Sequence, residues 1–99
     1  MFLFPRYKPW KGIGSPKLQY PLSDPPDDAT YELEAFSPRC GRFYRVSDND
    51  GGQTIYGYLD HVARMKSGAI IGYLFSPSGV PVGSKAITKY CVWYRLKHE

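Results

Sequence analysis

The chain has 99 residues, of which 42% are hydrophobic and 16% aromatic, and its formal net charge is +4. This length allows one small domain and leaves no room for a second core, and the composition is that of a globular chain. The charge permits a nucleic-acid partner without indicating one, and the longest apolar stretch, AIIGYLF at 69–75, is too short to span a bilayer as a helix.

Residues 1–28 predict an extended, proline-rich arm. Six of the nine prolines lie here, at Pro5, Pro9, Pro16, Pro21, Pro25 and Pro26. Each proline fixes φ and removes a backbone donor, so neither a long helix nor a central strand can form. The arm also carries the apolar and aromatic residues Phe4, Tyr7, Trp10, Ile13 and Tyr20. A free linker would not need them, and we expect the arm to dock, either on the chain's own body or on a partner.

Residues 29–99 predict a small β domain. The candidate strands are TYELEAF (30–36), RFYRVS (42–47), QTIYGYL (53–59), AIIGYLF (69–75) and ITKYCVWYRL (87–96). The turn signal DNDGG joins the second to the third, and SPSGVPVGS (76–84) is a turn-rich connection. The stretch DHVARMKSG (60–68) is either a helix of about two turns or a continued strand. The fold class is therefore mainly β: a small antiparallel barrel or sandwich of about five strands with at most one short helix.

The first candidate strand alternates in character. Tyr31 and Leu33 fall on one face, while Glu32 and Glu34 fall on the other. Two carboxylates on one face resemble an acid–base pair, but a solvated strand face explains them more simply. We expect both glutamates to face water.

The candidate catalytic and metal-binding residues are few. Arg39 and Arg42 flank Cys40 and could lower the pKa of its thiol, with His61 as a base. No thiol-enzyme motif surrounds Cys40, and no zinc, calcium or phosphate-binding spacing occurs. We predict a chain that is not an enzyme and that needs no cofactor or metal. With no secretory signal in the sequence, we also expect a soluble, intracellular protein in which Cys40 and Cys91 are free thiols.

Two functions remain open. In the first, the arm and an aromatic β surface dock onto a larger protein assembly or a second copy, with Phe4, Tyr7, Trp10, Ile13 and Tyr20 as the partner-binding residues. A viral or phage accessory protein, a virion component or an inhibitor of a host protein would fit this class. No membrane partner is expected.

The second is a small nucleic-acid-binding β-barrel. It would use a basic, aromatic surface comprising Arg6, Lys8, Lys11, Lys17, Lys89, Arg95 and Lys97. We favour the protein partner, because Asp24, Asp27 and Asp28 at the end of the arm would repel a phosphate backbone.

Overall fold

One antiparallel sheet contains every strand of the protein that the structure describes. The structure, a computed structural model, describes residues 7–9 (backbone only), 18, 20–34, 38–88 and 90–97. The strands are β1 (Tyr7–Pro9), β2 (Tyr31–Leu33), β3 (Phe43–Asp48), β4 (Thr54–Met65), β5 (Ile70–Phe75), β6 (Pro81–Ala86) and β7 (Cys91–Leu96). Their order is β2-β7-β3-β4-β5-β6, and β1 pairs separately with the far end of β4. The prediction of a small antiparallel β fold is confirmed, with two more strands than expected.

The first tight hairpin joins β3 to β4 at the predicted turn. Ser47 pairs with Thr54, and the chain reverses over Asp48–Gly52. Gly51 has a φ of +81°, a left-handed conformation that a residue without Cβ adopts at little cost, and its N–H donates to the Asp48 carbonyl at 3.0 Å.

The ambiguous stretch at 60–68 is strand and turn, so the helix alternative is wrong. Strand β4 continues through a bulge between Leu59 and His61 and ends at Met65. The chain then turns back, and the Met65 N–H donates to the Ala69 carbonyl at 2.7 Å, with Gly68 at a φ of +94°. Two turns of helix are marginal by propensity, whereas the extended chain gains pairing with β5 on one edge and β1 on the other.

The boundaries of the last two strands also differ from the prediction. The turn-rich stretch 76–84 contains the start of β6, which begins at Pro81. Proline is tolerated there because β6 is an edge strand and Pro81 is its first residue. Conversely, β6 ends at Ala86 and β7 begins only at Cys91, four residues later than the start of the predicted strand.

The core lies on the inner face of the curled sheet. Its buried side chains are Tyr44, Val46, Ile55, Leu59, Val62, Leu74 and Trp93. The indole N–H of Trp93 donates to the Ala86 carbonyl at 2.9 Å, which satisfies the polar atom of a ring that is 5% exposed. Trp93 also lies against Gly72 of β5, and Val82 of β6 lies against Gly57 of β4. These contacts between non-adjacent strands show how strongly the sheet curls.

Candidate interaction surface

Four side chains form a row across the outer face of the sheet. Leu33 on β2 pairs with Tyr94 on β7. Tyr94 pairs with Arg45 on β3, which pairs in turn with Tyr56 on β4. The residues before and after Arg45 belong to the core, so Arg45 and the residues beside it face outward. Leu33 is 62% exposed and Tyr56 is 50% exposed. We call these four residues the outer row.

Arg45 lies among aromatic rings. Its guanidinium carbon is 4.4 Å from the centroid of the Tyr94 ring and 5.5 Å from that of Tyr31. Both distances are in the range of cation–π attraction. The Nε of Arg45 is buried without a hydrogen-bond partner. Among the ion pairs of the described residues, none includes Arg45.

Buried rings support the outer row from one side. Tyr31 contacts Tyr56 edge to face, with centroids 6.1 Å apart, and its ring lies 6.5 Å from that of Phe43. Phe43 in turn meets Tyr58 edge to face at 5.0 Å. Phe43 and Tyr58 are only 6% and 9% exposed. A surface built on packed aromatic rings holds its side chains in a fixed geometry, which reduces the entropy lost on binding.

A shallow groove begins at the Leu33 end of the outer row. Its volume is about 310 Å³, and it is lined by Leu33, Glu34, Pro38, Ile87, Thr88, Cys91, Val92 and Trp93. The lining combines Leu33 and Val92 with Glu34 and Trp93 of the opposite face, so the groove lies at the β2 end of the sheet beside the outer row.

Asp60 holds the end of the arm on the body. This carboxylate is 2% exposed and lies at the bulge of β4. Its Oδ1 accepts hydrogen bonds from the Leu18 N–H at 3.3 Å and from the Tyr20 hydroxyl at 3.1 Å, while Oδ2 lies 2.6 Å from Nδ1 of His61. Burial, together with the hydrogen bond and the charge of Asp60, raises the pKa of Tyr20 above its usual range. The Tyr20 ring also stacks on Phe75, with centroids 5.9 Å apart.

The next residues of the arm continue along the body. The Leu22 N–H donates to the Pro77 carbonyl at 2.7 Å, and the Tyr58 hydroxyl donates to the Ser23 carbonyl. Tyr20, which the sequence predicted to bind a partner, is therefore engaged within the chain. Leu18 and the segment 20–23 thus contact the body of the same chain, and docking of the arm onto a partner stays a prediction.

The other predicted partner-binding residues are less fully placed. Phe4, Trp10 and Ile13 lie outside the described residues. Tyr7 is placed through its backbone in β1, where it pairs with Met65. The division into an arm at 1–28 and a domain at 29–99 stays a prediction, because most of residues 1–19 lie outside the described part of the chain.

The predicted basic surface is placed only in part. Arg6, Lys11, Lys17 and Lys89 lie outside the described residues, and Lys8 is placed only through its backbone, paired with Arg64. Lys97 is exposed, and its N–H donates to the Thr30 carbonyl at 2.7 Å.

Arg95 is engaged by acidic side chains. It forms an ion pair with Glu32, and its Nε lies 4.0 Å from Glu34. The side chain of Glu34 is 6% exposed, and it also accepts a hydrogen bond from the Tyr44 hydroxyl at 3.0 Å. The expectation that both glutamates face water is therefore wrong for Glu34, while Leu33 on the other face is exposed. Arg42 and Arg95 both lie within 4.0 Å of this carboxylate, and their positive charges offset the cost of burying it.

The environment of Cys40 is the opposite of a reactive thiol's. Burial, and then the charge of Asp60, raises the pKa of Cys40 to about 11. Arg42, which was expected to lower that pKa, lies 3.7 Å from Glu34 instead. His61 is held by Asp60 and stacks on Tyr73, with ring centroids 4.6 Å apart. A protonated thiol is a poor nucleophile, so this arrangement does not activate Cys40. Cys40 and Cys91 are not joined in a disulfide.

The outer row was not found from sequence. Alternation within RFYRVS and CVWYRL places Arg45 and Tyr94 on definite faces of their strands. Alternation does not say which strands are neighbours or in what register they pair, and the row exists only through that pairing.

The fold defines the chain as a small antiparallel β domain with an outer aromatic surface. No protein family, no curated protein and no solved structure matches it. Within the described ranges, no group of three or more His, Cys, Asp or Glu residues is placed to hold a metal ion. The same residues include no helix with the length and apolar character needed to cross a bilayer.

Proposed function

We propose that this chain is a non-enzymatic interaction or structural protein that docks onto a larger protein assembly through its aromatic β surface and its arm. The outer row is the observation that carries the proposal. It sets two exposed apolar or aromatic side chains, Leu33 and Tyr56, on either side of Arg45 and Tyr94. Tyrosine and arginine are enriched among the residues that dominate binding energy, and exposed apolar patches mark binding surfaces.

A protein partner fits the cations of the outer row and its surroundings better than a nucleic acid does. Phosphate binding needs several free basic side chains on one surface. Arg95 is paired with glutamates, and Lys85 is 7% exposed and lies 2.6 Å from Asp48. Arg45 is the cation of the outer row, and one cation among apolar side chains is typical of a protein interface.

The polar groups near the arm support a binding role over a catalytic one. Asp60, which is itself paired with His61, accepts hydrogen bonds from Leu18 and Tyr20, and the raised pKa of Cys40 keeps its thiol protonated near neutral pH. Asp60 therefore stabilises the docked end of the arm. The remaining arm anchors, Phe4, Tyr7, Trp10 and Ile13, and the narrower hypothesis of a viral or phage protein, stay predictions.

Selection from a displayed library of random twelve-residue peptides tests the proposal. The baits are the wild type, the variant Leu33→Ser/Tyr56→Ser, and the control Val80→Ser, which changes a 58%-exposed valine before β6. We expect enriched peptides whose binding is lost in the double variant and kept in the control. Enrichment of no peptide, or of peptides that bind all three baits equally, would refute the outer row as the docking surface. Elution from heparin with a steep salt dependence would favour the nucleic-acid alternative instead.

A further inference from the structure

We infer that the partner presents a carboxylate to Arg45, with apolar side chains on either side of it. This inference rests on the proposed function, because it names the chemistry that the outer row recognises. It is carried by a contrast between arginines of the same sheet region. Arg42 pairs with Glu34 and Arg95 pairs with Glu32, whereas the described part of the chain offers Arg45 only aromatic rings.

The position of Arg45 suits an incoming acid. A guanidinium group stacked on aromatic rings keeps the N–H groups at its planar edge available for a two-point hydrogen bond to a carboxylate. The surrounding rings of Tyr31 and Tyr94 displace water, which strengthens such a pair relative to one in bulk solvent. The Nε of Arg45 is buried without a hydrogen-bond partner, so the described part of the chain does not satisfy every donor of this guanidinium.

The neighbours of Arg45 define the rest of the ligand. Tyr56 and Leu33 are exposed at 50% and 62%, and they lie on opposite sides of Arg45 along the row. Strands in a sheet are about 4.8 Å apart, and side chains on one face of an extended peptide are about 6.7 Å apart. Leu33 and Tyr56 are three strand spacings apart, about 14 Å, and the guanidinium of Arg45 lies over the Tyr94 ring between them. In an extended segment with one acid, and an apolar residue two positions before and after it, the two apolar side chains are about 13 Å apart, so such a segment spans the outer row with its acid near Arg45.

The test uses two defined peptides, acetyl-Val-Ser-Glu-Ser-Tyr-amide and the matched peptide with Gln in place of Glu. Binding to ¹⁵N-labelled protein is followed by amide chemical shifts. We expect the acidic peptide to shift the amides of β3, β4 and β7, with a millimolar dissociation constant because so short a peptide buries little area. The Gln peptide should bind about tenfold or more weakly, the loss expected for one charge-assisted hydrogen bond.

Three variants locate the effect. Arg45→Met, which keeps the length of the side chain and removes its charge, should weaken the acidic peptide about tenfold or more and leave the Gln peptide unchanged. Arg45→Lys should recover only part of the affinity, because an ammonium group lacks the planar fork. The control Lys66→Met removes an equal charge from an exposed turn and should change nothing.

The outcomes separate this inference from the proposed function. Equal binding of both peptides at β3, β4 and β7 overturns the acidic partner and leaves the docking surface standing. No shift at these strands up to about 10 mM of either peptide, or a shift only with an oligothymidylate, also overturns it. In that case the library selection decides whether the outer row binds protein at all. The comparison of two peptides on the wild type needs no variant, so it holds even if Arg45→Met folds poorly.

Discussion

The indole of Trp93 lies so close over Gly72 that a Cβ at position 72 would come within 2.7 Å of the ring carbon Cη2. The two residues sit on β7 and β5, which are separated in the sheet by β3 and β4. The contact therefore joins distant parts of the curled sheet across the core. A second neighbour, Leu59, would lie 3.0 Å from the same Cβ, so the ring has little room to move aside.

The substitution Gly72→Ala should destabilise the fold by about 1–3 kcal/mol, the usual cost of overpacking a core. The measurement is the urea midpoint of unfolding at constant slope. The control is Ser84→Ala, an exposed position on β6, which should change stability by less than about 0.5 kcal/mol. A Gly72→Ala protein as stable as the wild type would mean that Trp93 does not pack against β5 in solution.

The ion pair between Asp48 and Lys85 should give the protein an acid-sensitive stability. The hydrogen bond from Lys85, followed by one from the Gln53 N–H, holds the pKa of Asp48 below its usual range. A carboxyl whose pKa is lower in the folded state stabilises the fold when it is ionised. This contribution is therefore complete above about pH 4, the unfolded pKa, and is lost as the pH falls through the folded value.

The pH profile of unfolding checks this expectation. Wild type should lose more stability below about pH 4 than the double variant Asp48→Asn/Lys85→Met, in which the pair is absent. Asp48→Asn alone should be less stable at neutral pH than the double variant, because it leaves the buried Lys85 ammonium without its carboxylate. Asp27→Asn, at an exposed position before β2, should keep the wild-type profile. Identical profiles for the wild type and the double variant would show that the pair does not form.

Sequence pattern predicted the strands better than their arrangement. RFYRVS and AIIGYLF match β3 and β5 closely, because β-branched and aromatic residues bounded by turn signals are typical of strands. Strand β6 was missed because Pro81 and Gly83 resemble a loop, and an edge strand tolerates both.

The candidate site was the least predictable part. Arg45, Tyr56 and Tyr94 come together through the pairing of β3 with β4 and with β7, and three strands separate β3 from β7 along the chain. Such pairing depends on the packing of the whole core and not on any local signal. The burial of Glu34 was missed for the same reason, since its arginine partners lie on other parts of the chain.

The arm should come loose when the hydroxyl of Tyr20 is removed. Tyr20→Phe keeps the stacking on Phe75 and deletes the hydrogen bond to Asp60, at a cost of about 1–2 kcal/mol. Amide exchange at Leu18 reports the effect directly, because its N–H donates to the same carboxylate. We expect faster exchange at Leu18 in Tyr20→Phe, and no change in Tyr56→Phe, whose ring is 50% exposed. Unchanged exchange at Leu18 would show that Asp60 does not hold the arm.

The thiol of Cys40 should react slowly in the folded protein. Its pKa is raised to about 11, first by burial and then by the charge of Asp60, so the reactive thiolate is scarce at pH 8. Relative to a free cysteine, the thiolate fraction falls roughly a hundredfold, and the greater nucleophilicity of a high-pKa thiolate offsets only part of this.

The test uses a Cys91→Ser background, in which Cys40 is the one thiol in the chain. At pH 8, a disulfide reagent should modify Cys40 about tenfold or more slowly in the folded protein than in urea. The Asp60→Asn variant should react faster than its parent, because one of the two causes of the raised pKa is removed. The fold favours the protonated thiol, so the contribution of Cys40 to the stability of the protein is lost as the pH rises from about 9 through about 11. A native thiol that reacts as fast as the unfolded one would contradict the partial burial of Cys40 against the core.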